Sequence, residues 1–146
     1  MSIGLSFVGT WGLVWIVLAA VGSRRVRVVL QVALAVAVAE VTVFACHAAI
    51  PRHRPFEHQL GRHEHGHSFP SGHAMTAFAG ATMLAAYLPR HRVPLLVLAS
   101  LIALSRLYNG VHYPTDGGAG AAIGVAIALL LRAAGRRRSR PGSRAS

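Results

Sequence analysis

The chain has 146 residues, enough for one domain and too few for a second catalytic module. Hydrophobic residues make up 53% of it and charged residues only 13%, about half the charged share of a soluble domain, although the formal net charge is +11; a membrane protein is expected. All 15 basic residues are arginine, which excludes Schiff-base chemistry on lysine and the lysine-containing phosphate loop, and the single cysteine, Cys46, excludes an internal disulfide.

In chain order the apolar residues predict five spanning helices in an all-α polytopic bundle. About 20 apolar residues at roughly 1.5 Å each cross a hydrocarbon core of about 30 Å. Ile3 to Gly22 reaches that length without a charge. Its first charges, Arg24 and Arg25, follow it, whereas a signal peptide places basic residues ahead of its apolar stretch, so it reads as a retained helix. The second run, Val26 to Ile50, contains Gln31, Glu40 and His47, with Cys46 as a small core or lipid-facing residue. The apolar stretches that follow extend with their flanks to spans over 71–88, 93–108 and 115–134. Residues 1–135 form one membrane domain, and 136–146, rich in arginine, serine and glycine, form a disordered cytoplasmic tail. An arginine cluster directly after a span suits anionic lipid headgroups, and no nucleic-acid partner is expected.

Arg-rich short loops face the cytoplasm. The clusters at Arg24 to Arg27, Arg90 to Arg92 and Arg136 to Arg144 are separated by two crossings each, so all three fit on the inner side of a cell membrane. The N-terminus, the segment Pro51 to Phe69 and the turn around Asn109 to Thr115 then lie outside. Arg52, Arg54 and Arg62 carry the wrong sign for an outer loop and need another reason to be there.

Three polar clusters map to that outer side: His47-x6-Arg54-Pro55, Pro70-Ser71-Gly72-His73, and Ser105-Arg106-x5-His112-x3-Asp116. Arg54 and Arg106 supply permanently charged forks that match phosphate oxygens. Ser71 and Gly72 at a helix start offer a hydroxyl and backbone N–H groups to an anion. His112 and Asp116, four apart, share a helix face; a carboxylate on one ring nitrogen leaves the other as a nucleophile. His73 then serves as general acid toward the leaving oxygen. The set reads as phosphoryl transfer through a phosphohistidine and requires no metal or other cofactor.

Together, in this order and across roughly Glu40 to Gly120, these motifs resemble the three-part signature of the type 2 phosphatidic acid phosphatase family, which shares its core with vanadium haloperoxidases. The resemblance implies a membrane lipid phosphatase. In it His112 is the nucleophile, Asp116 its orienting partner and His73 the general acid, while Arg54, Arg106, Ser71, Gly72 and His47 cradle the phosphate. The substrate is a lipid phosphate ester or diphosphate, with polyprenyl diphosphate recycling the leading candidate and phosphatidic acid or phosphatidylglycerol phosphate the alternatives. Bare phosphate or vanadate is expected to compete.

Two departures from the family pattern are visible. Its first motif begins with lysine where this chain has His47, and Glu40, two helical turns earlier on the same face, is a candidate to hold that imidazole protonated. Its integral members usually cross six times and this chain five; a homodimer is one way to seal the flank. The segment His53 to His67 also holds His58, His63, His65, Glu57 and Glu64. Two readings are open for it: a solvated, pH-sensitive lid beside the site, or a metal-binding loop in a membrane protein that binds metal or lipid phosphate without turnover. Tyr108 and Tyr113 are expected at the membrane interface.

Overall fold

A computed structural model describes residues 3–54 and 66–138 of the chain, with side chains for 12–54 and 66–137. Five α-helices run in chain order: α1 (Ile3–Ser23), α2 (Val26–Ala49), α3 (Gly72–Ala85), α4 (Arg92–Tyr108) and α5 (Pro114–Arg138), with a 3-10 turn at Pro89–His91 leading into α4. No strand occurs among the described residues. The expected all-α membrane bundle of five helices is what forms.

The bundle is organised around α3. Every residue of this helix except Phe78 and Thr82 is buried, and it packs against α1, α2, α4 and α5. Its composition explains why: a helix that is apolar or small all round has no face for water, and alanine and glycine let neighbouring backbones come close when lipid supplies no hydrophobic drive between helices. The contact with α5 is the tightest. A Cβ on Gly120 would stand 2.5 Å from the Ser71 carbonyl oxygen, and one on Gly124 would stand 2.3 Å from that of Met75, so glycine at both positions sets how closely α5 lies along α3. On the other flank the fully buried Trp15 of α1 covers Gly80, where a Cβ would meet the indole at 2.5 Å.

Three segments have the length and hydropathy of a membrane span: Val26–Ala49, Pro89–Tyr108 and Pro114–Arg137. Their outward residues, among them Leu30, Leu34, Phe44, Val97, Leu101 and Leu130, are exposed, as a lipid-facing surface requires. The third predicted span comes out shorter than expected. α3 has 14 residues, only about 21 Å of helix, and the chain leaves it at Ala85 instead of continuing to Leu88. Enclosed by the other helices, it does not have to match the bilayer thickness. The last helix comes out longer: α5 continues through Arg138, so Arg136 to Arg138 belong to the helix, and the remaining tail, 139–146, lies outside the described residues.

The alternating helix directions bring the end of α2, the start of α3, the end of α4 and the start of α5 to one end of the bundle. The Ser71 N–H donates to the Asp116 carbonyl at 3.0 Å, which fastens the start of α3 to the first turn of α5. All three sequence motifs converge here.

Candidate functional site

Ser71 caps α3. Its Oγ accepts from the Ala74 N–H at 3.5 Å, which satisfies one of the four orphan amides of the first turn, and its carbonyl accepts the helix's first i→i−4 bond from the Met75 N–H at 3.0 Å. The amides of Gly72 and His73 head the helix. Since the Ser71 N–H is already bonded to Asp116, Ser71 contributes position and its hydroxyl to the expected phosphate cradle, and the helix-start amides of that cradle belong to Gly72 and His73. Val43 of α2 lies against Gly72, 3.3 Å from where a Cβ would be.

The short turn after α4 carries His112, which is only 4% exposed. Its Nδ1 lies 2.8 Å from the Ser68 carbonyl oxygen. A carbonyl can only accept, so Nδ1 carries the proton and donates it, and Nε2 is left with its lone pair. That nitrogen faces Arg54, whose Nη1 is 3.5 Å away while also donating to the Val111 carbonyl at 3.2 Å. Burial above all, and then the Arg54 guanidinium, push the His112 pKa down to about 4, against the opposing pull of the Ser68 carbonyl and the Asp116 carboxylate. At neutral pH the imidazole is therefore uncharged and nucleophilic at Nε2.

Asp116 lies beside His112 without a direct hydrogen bond to it. Its Oδ2 stands 3.8 Å from His112 Nδ1, beyond hydrogen-bond reach, and accepts instead from the Tyr113 N–H at 2.9 Å. Its Oδ1 accepts from Arg52 Nη1 at 2.7 Å. The Ser68 carbonyl fixes the tautomer, and the fully buried carboxylate acts on the ring through space. Helical spacing put Asp116 on the face of His112, but Asp116 lies in the first turn of α5 whereas His112 precedes the helix, so the i, i+4 geometry is not realised.

Arg52 was absent from the sequence-derived site. Besides Asp116 it donates to Thr115 Oγ1 at 2.9 Å, and its guanidinium sits 4.5 Å above the Tyr113 ring, a cation–π contact. The signal that could have found it was the wrong-sign charge it places on a predicted outer loop: an acid 64 positions later is its partner. Replacing Arg52 by alanine leaves the Asp116 charge uncompensated beside His112 and so favours the imidazolium. The acid limb of the kcat/KM profile should move from about 4 to higher pH, with the loss confined to the acid side and little change at neutral pH; an unchanged limb would show that the pair has no electrostatic role at His112.

His73, 6% exposed in the first turn of α3, shares one electrostatic neighbourhood with Arg106, His112 and Arg54. Arg106 reaches it from the last turn of α4. His73, His112, Arg54 and Arg106 are thus together, as the motifs require. His47 stands at the edge of the group. Its Nε2 donates to the Pro70 carbonyl at 3.1 Å and its ring meets His67 edge-on with centroids 6.3 Å apart, so it clamps the end of α2 to the approach to α3. Glu40 does not support it: seven residues are about 10 Å along a helix, and Glu40 Oε1 is buried with no hydrogen-bond partner among the described residues.

Ser68 joins the two ends of the histidine-rich loop, donating its N–H to the Arg52 carbonyl at 2.9 Å and its Oγ–H to the His53 carbonyl at 3.2 Å. Pro55, Glu57, His58, Arg62, His63, Glu64 and His65 lie outside the described residues; among those described, no three His, Cys, Asp or Glu side chains group as metal ligands. Tyr108 is exposed and Tyr113 borders the site beneath Arg52.

The same architecture occurs in solved structures. The chain superposes on Aquifex aeolicus LpxE with a TM-score of 0.73 at 25% identity, covering 91% of this chain and 87% of that one. It superposes on a transmembrane PAP2 type phosphatidylglycerolphosphate phosphatase from Bacillus subtilis with a TM-score of 0.69 at 26% identity, covering 96% and 72%. The family model of the PAP2 superfamily matches residues 26–140. The chain belongs to the PAP2 superfamily. Its relatives include the decaprenylphosphoryl-5-phosphoribose phosphatase of Mycobacterium tuberculosis, 32% identical over 97% of this chain and 82% of that protein. Another is the bacitracin transport permease protein BcrC of Bacillus licheniformis, 38% identical over 53% of this chain and 38% of that one. The chain spans less than half the length of the first curated relatives it matches. The match spans all three motifs, which this chain's fold delivers to one end of its helical bundle.

Proposed function

We propose that this PAP2 chain is a metal-independent lipid phosphatase that hydrolyses a polyprenyl-linked phosphate ester or diphosphate through a phosphohistidine on His112, at the outer face of a cell membrane with its C-terminus in the cytoplasm. The observation that carries the reading is the tautomer of His112: Nδ1–H is tied to the Ser68 carbonyl, so the lone pair is on Nε2, where it accepts a long hydrogen bond of 3.5 Å from Arg54 that a bound phosphate would take over.

The substrate phosphate enters between Arg54, Arg106 and the start of α3, where two guanidiniums, the Gly72 and His73 amides and the Ser71 hydroxyl meet its oxygens. His112 Nε2 attacks phosphorus in line. The bond to the leaving oxygen breaks, and His73, which takes up a proton when the anionic phosphate binds beside it, gives that proton to the oxygen, releasing the lipid alcohol or lipid phosphate. The positive charge that develops on the His112 ring is stabilised by the Ser68 carbonyl at Nδ1–H and by Asp116 at 3.8 Å. Water then attacks phosphorus, His73 takes its proton, the P–N bond breaks and inorganic phosphate leaves. The lipid chain stays in the bilayer along the exposed Val41 and Phe44 of α2. The end-to-end match to a phosphatase named for a decaprenylphosphoryl substrate supports the polyprenyl class.

The reading is tested by phosphate release from purified chain in EDTA, comparing polyprenyl diphosphate with phosphatidic acid and phosphatidylglycerol phosphate. Turnover that survives the chelator and is fastest on the polyprenyl substrate is expected. Activity that disappears with the chelator and is indifferent to His112→Ala would reject it. The pH profile follows from His112: below about 4 its Nε2 is protonated and cannot attack, so kcat/KM should fall tenfold per pH unit on that acid side. A limb centred near the ordinary histidine value, about 6.5, would mean that another group controls the step.

A further inference from the structure

The end of the bundle opposite His112 carries a second cavity, of about 790 Å³, between the start of α2, the end of α3 and the end of α5. Its distance from the catalytic end follows from α2, on which Arg27 and His47 are separated by 20 positions, or about 30 Å of helix. Five arginines line it: Arg25, Arg27, Arg132, Arg136 and Arg137. None of the lining residues is acidic. Its polar floor is a hydrogen bond from the Tyr87 hydroxyl to Gln31 Oε1, which ties α2 to the segment just after α3.

We propose that this cavity is a binding site for the phosphate headgroup of an anionic membrane lipid, separate from the catalytic site and independent of the chemistry at His112. Five guanidiniums on two segments, the start of α2 and the end of α5, repel one another unless an anion joins them, and the lining supplies no carboxylate. Guanidinium forks match phosphate oxygens in pairs, and the volume is that of a small-molecule site, far larger than one phosphate needs. The surroundings point to a lipid as the source of that phosphate. The arginines sit at the ends of spanning helices, and immediately beside them Val26 and Leu30 of α2 are 74% and 64% exposed, an apolar track for acyl chains. α1 and α2 are joined by Arg24 and Arg25 alone, a tight turn with Arg24 at φ +50° that holds Arg25 and Arg27 at the rim of the cavity.

The experiment uses the full chain as His112→Ala, which cannot consume the probe, and counts bound lipid by native mass spectrometry while thermal unfolding is followed. Phosphatidylglycerol should be retained and should raise Tm, and phosphatidylcholine should do neither. Arg27→Gln combined with Arg132→Gln should weaken retention at least tenfold, while the same pair in the otherwise wild-type chain leaves phosphate release from a short-chain substrate unchanged. Arg27→Lys with Arg132→Lys keeps the charge and the topological signal but removes the forks, guarding against a variant that fails to insert; retention should fall to an intermediate value. Equal retention by either pair and by the parent would overturn the assignment, as would equal stabilisation by phosphatidylcholine. Inorganic diphosphate that displaces the lipid at equal concentration would overturn the lipid as the source.

Discussion

Replacing His112 by glutamine is expected to abolish phosphate release, by at least about 10³-fold in kcat, with little change in folding. Glutamine can still donate an amide N–H toward the Ser68 carbonyl, so the local hydrogen bond that holds this turn has a substitute. What it lacks is a nucleophile beside Arg54. Arg54, Arg106, Ser71 and the amides heading α3 remain, so the variant should still bind inorganic phosphate with near-normal affinity. The separation of binding from turnover is the informative part. A loss of ligand binding equal to the loss of rate would mean that His112 had been holding the cradle together, not reacting. The measurement is steady-state phosphate release alongside equilibrium binding of inorganic phosphate, with Tm as a check on folding.

The largest structural effect should come from Gly124→Leu. A Cβ there lies 2.3 Å from the Met75 carbonyl oxygen and 3.0 Å from the Ala79 nitrogen. Both are backbone atoms of the central helix, with no flexible side chain that can swing aside. α5 must therefore move off α3, which separates the helix carrying Asp116 from the one carrying Ser71 and His73 and breaks the Ser71–Asp116 backbone bond between them. Overpacking of this kind costs about 1–3 kcal/mol where side chains can adjust, and here the cost should exceed that range. We expect a drop in Tm of well over 5 °C, with loss of activity in whatever folded protein remains. Gly118→Ala is the control. A Cβ at Gly118 meets nothing within 4 Å, and exchanging glycine for alanine in a helix gains about 1 kcal/mol, so Tm should hold or rise. If both variants behave alike, the close approach of α3 and α5 is not what glycine provides here.

How much of this was legible in the sequence depends on how far apart the interacting residues lie. The spacing of apolar runs is local, and it predicted five helices. The His73, His112 and Arg106 motifs are local as well, and the resemblance supplied the long-range step of bringing them together. Helical spacing failed for His112 and Asp116, because the i, i+4 relation holds only if both residues are in one helix and α5 begins at Pro114. The partner that Asp116 does take, Arg52, is 64 positions away, and no periodicity connects them; only the misplaced charge hinted at it. The short α3 was not predictable from apolar length alone, since a helix surrounded by others need not reach across the bilayer. Gly120-x3-Gly124 was readable as a small-residue packing stripe but gives no hint of which helix it meets. Glu40 and His47 share a face of α2, and their separation along the axis shows why that was insufficient.

The pairing of Arg52 with Asp116 also bears on how the His47 departure is tolerated. The family pattern has a permanent cation at that position, whereas this chain has an imidazole bonded to the Pro70 carbonyl and a guanidinium five positions later, bonded to the buried acid. Arg52 is thus held by Asp116 and Thr115 and stacked on Tyr113, so it serves the site by positioning the carboxylate. On the proposed reading, phosphate contact is left to Arg54 and Arg106.

The central claim is a covalent phosphate on His112 Nε2. It is tested most directly by mixing the chain with labelled lipid diphosphate, quenching in alkali within a turnover to preserve a P–N bond, and locating the label by peptide mass spectrometry. The account predicts one phosphate per chain, on His112, lost on brief acid treatment and absent from His112→Gln. A normal rate of phosphate release with no labelled protein at any quench time, or label on a different residue, would contradict it.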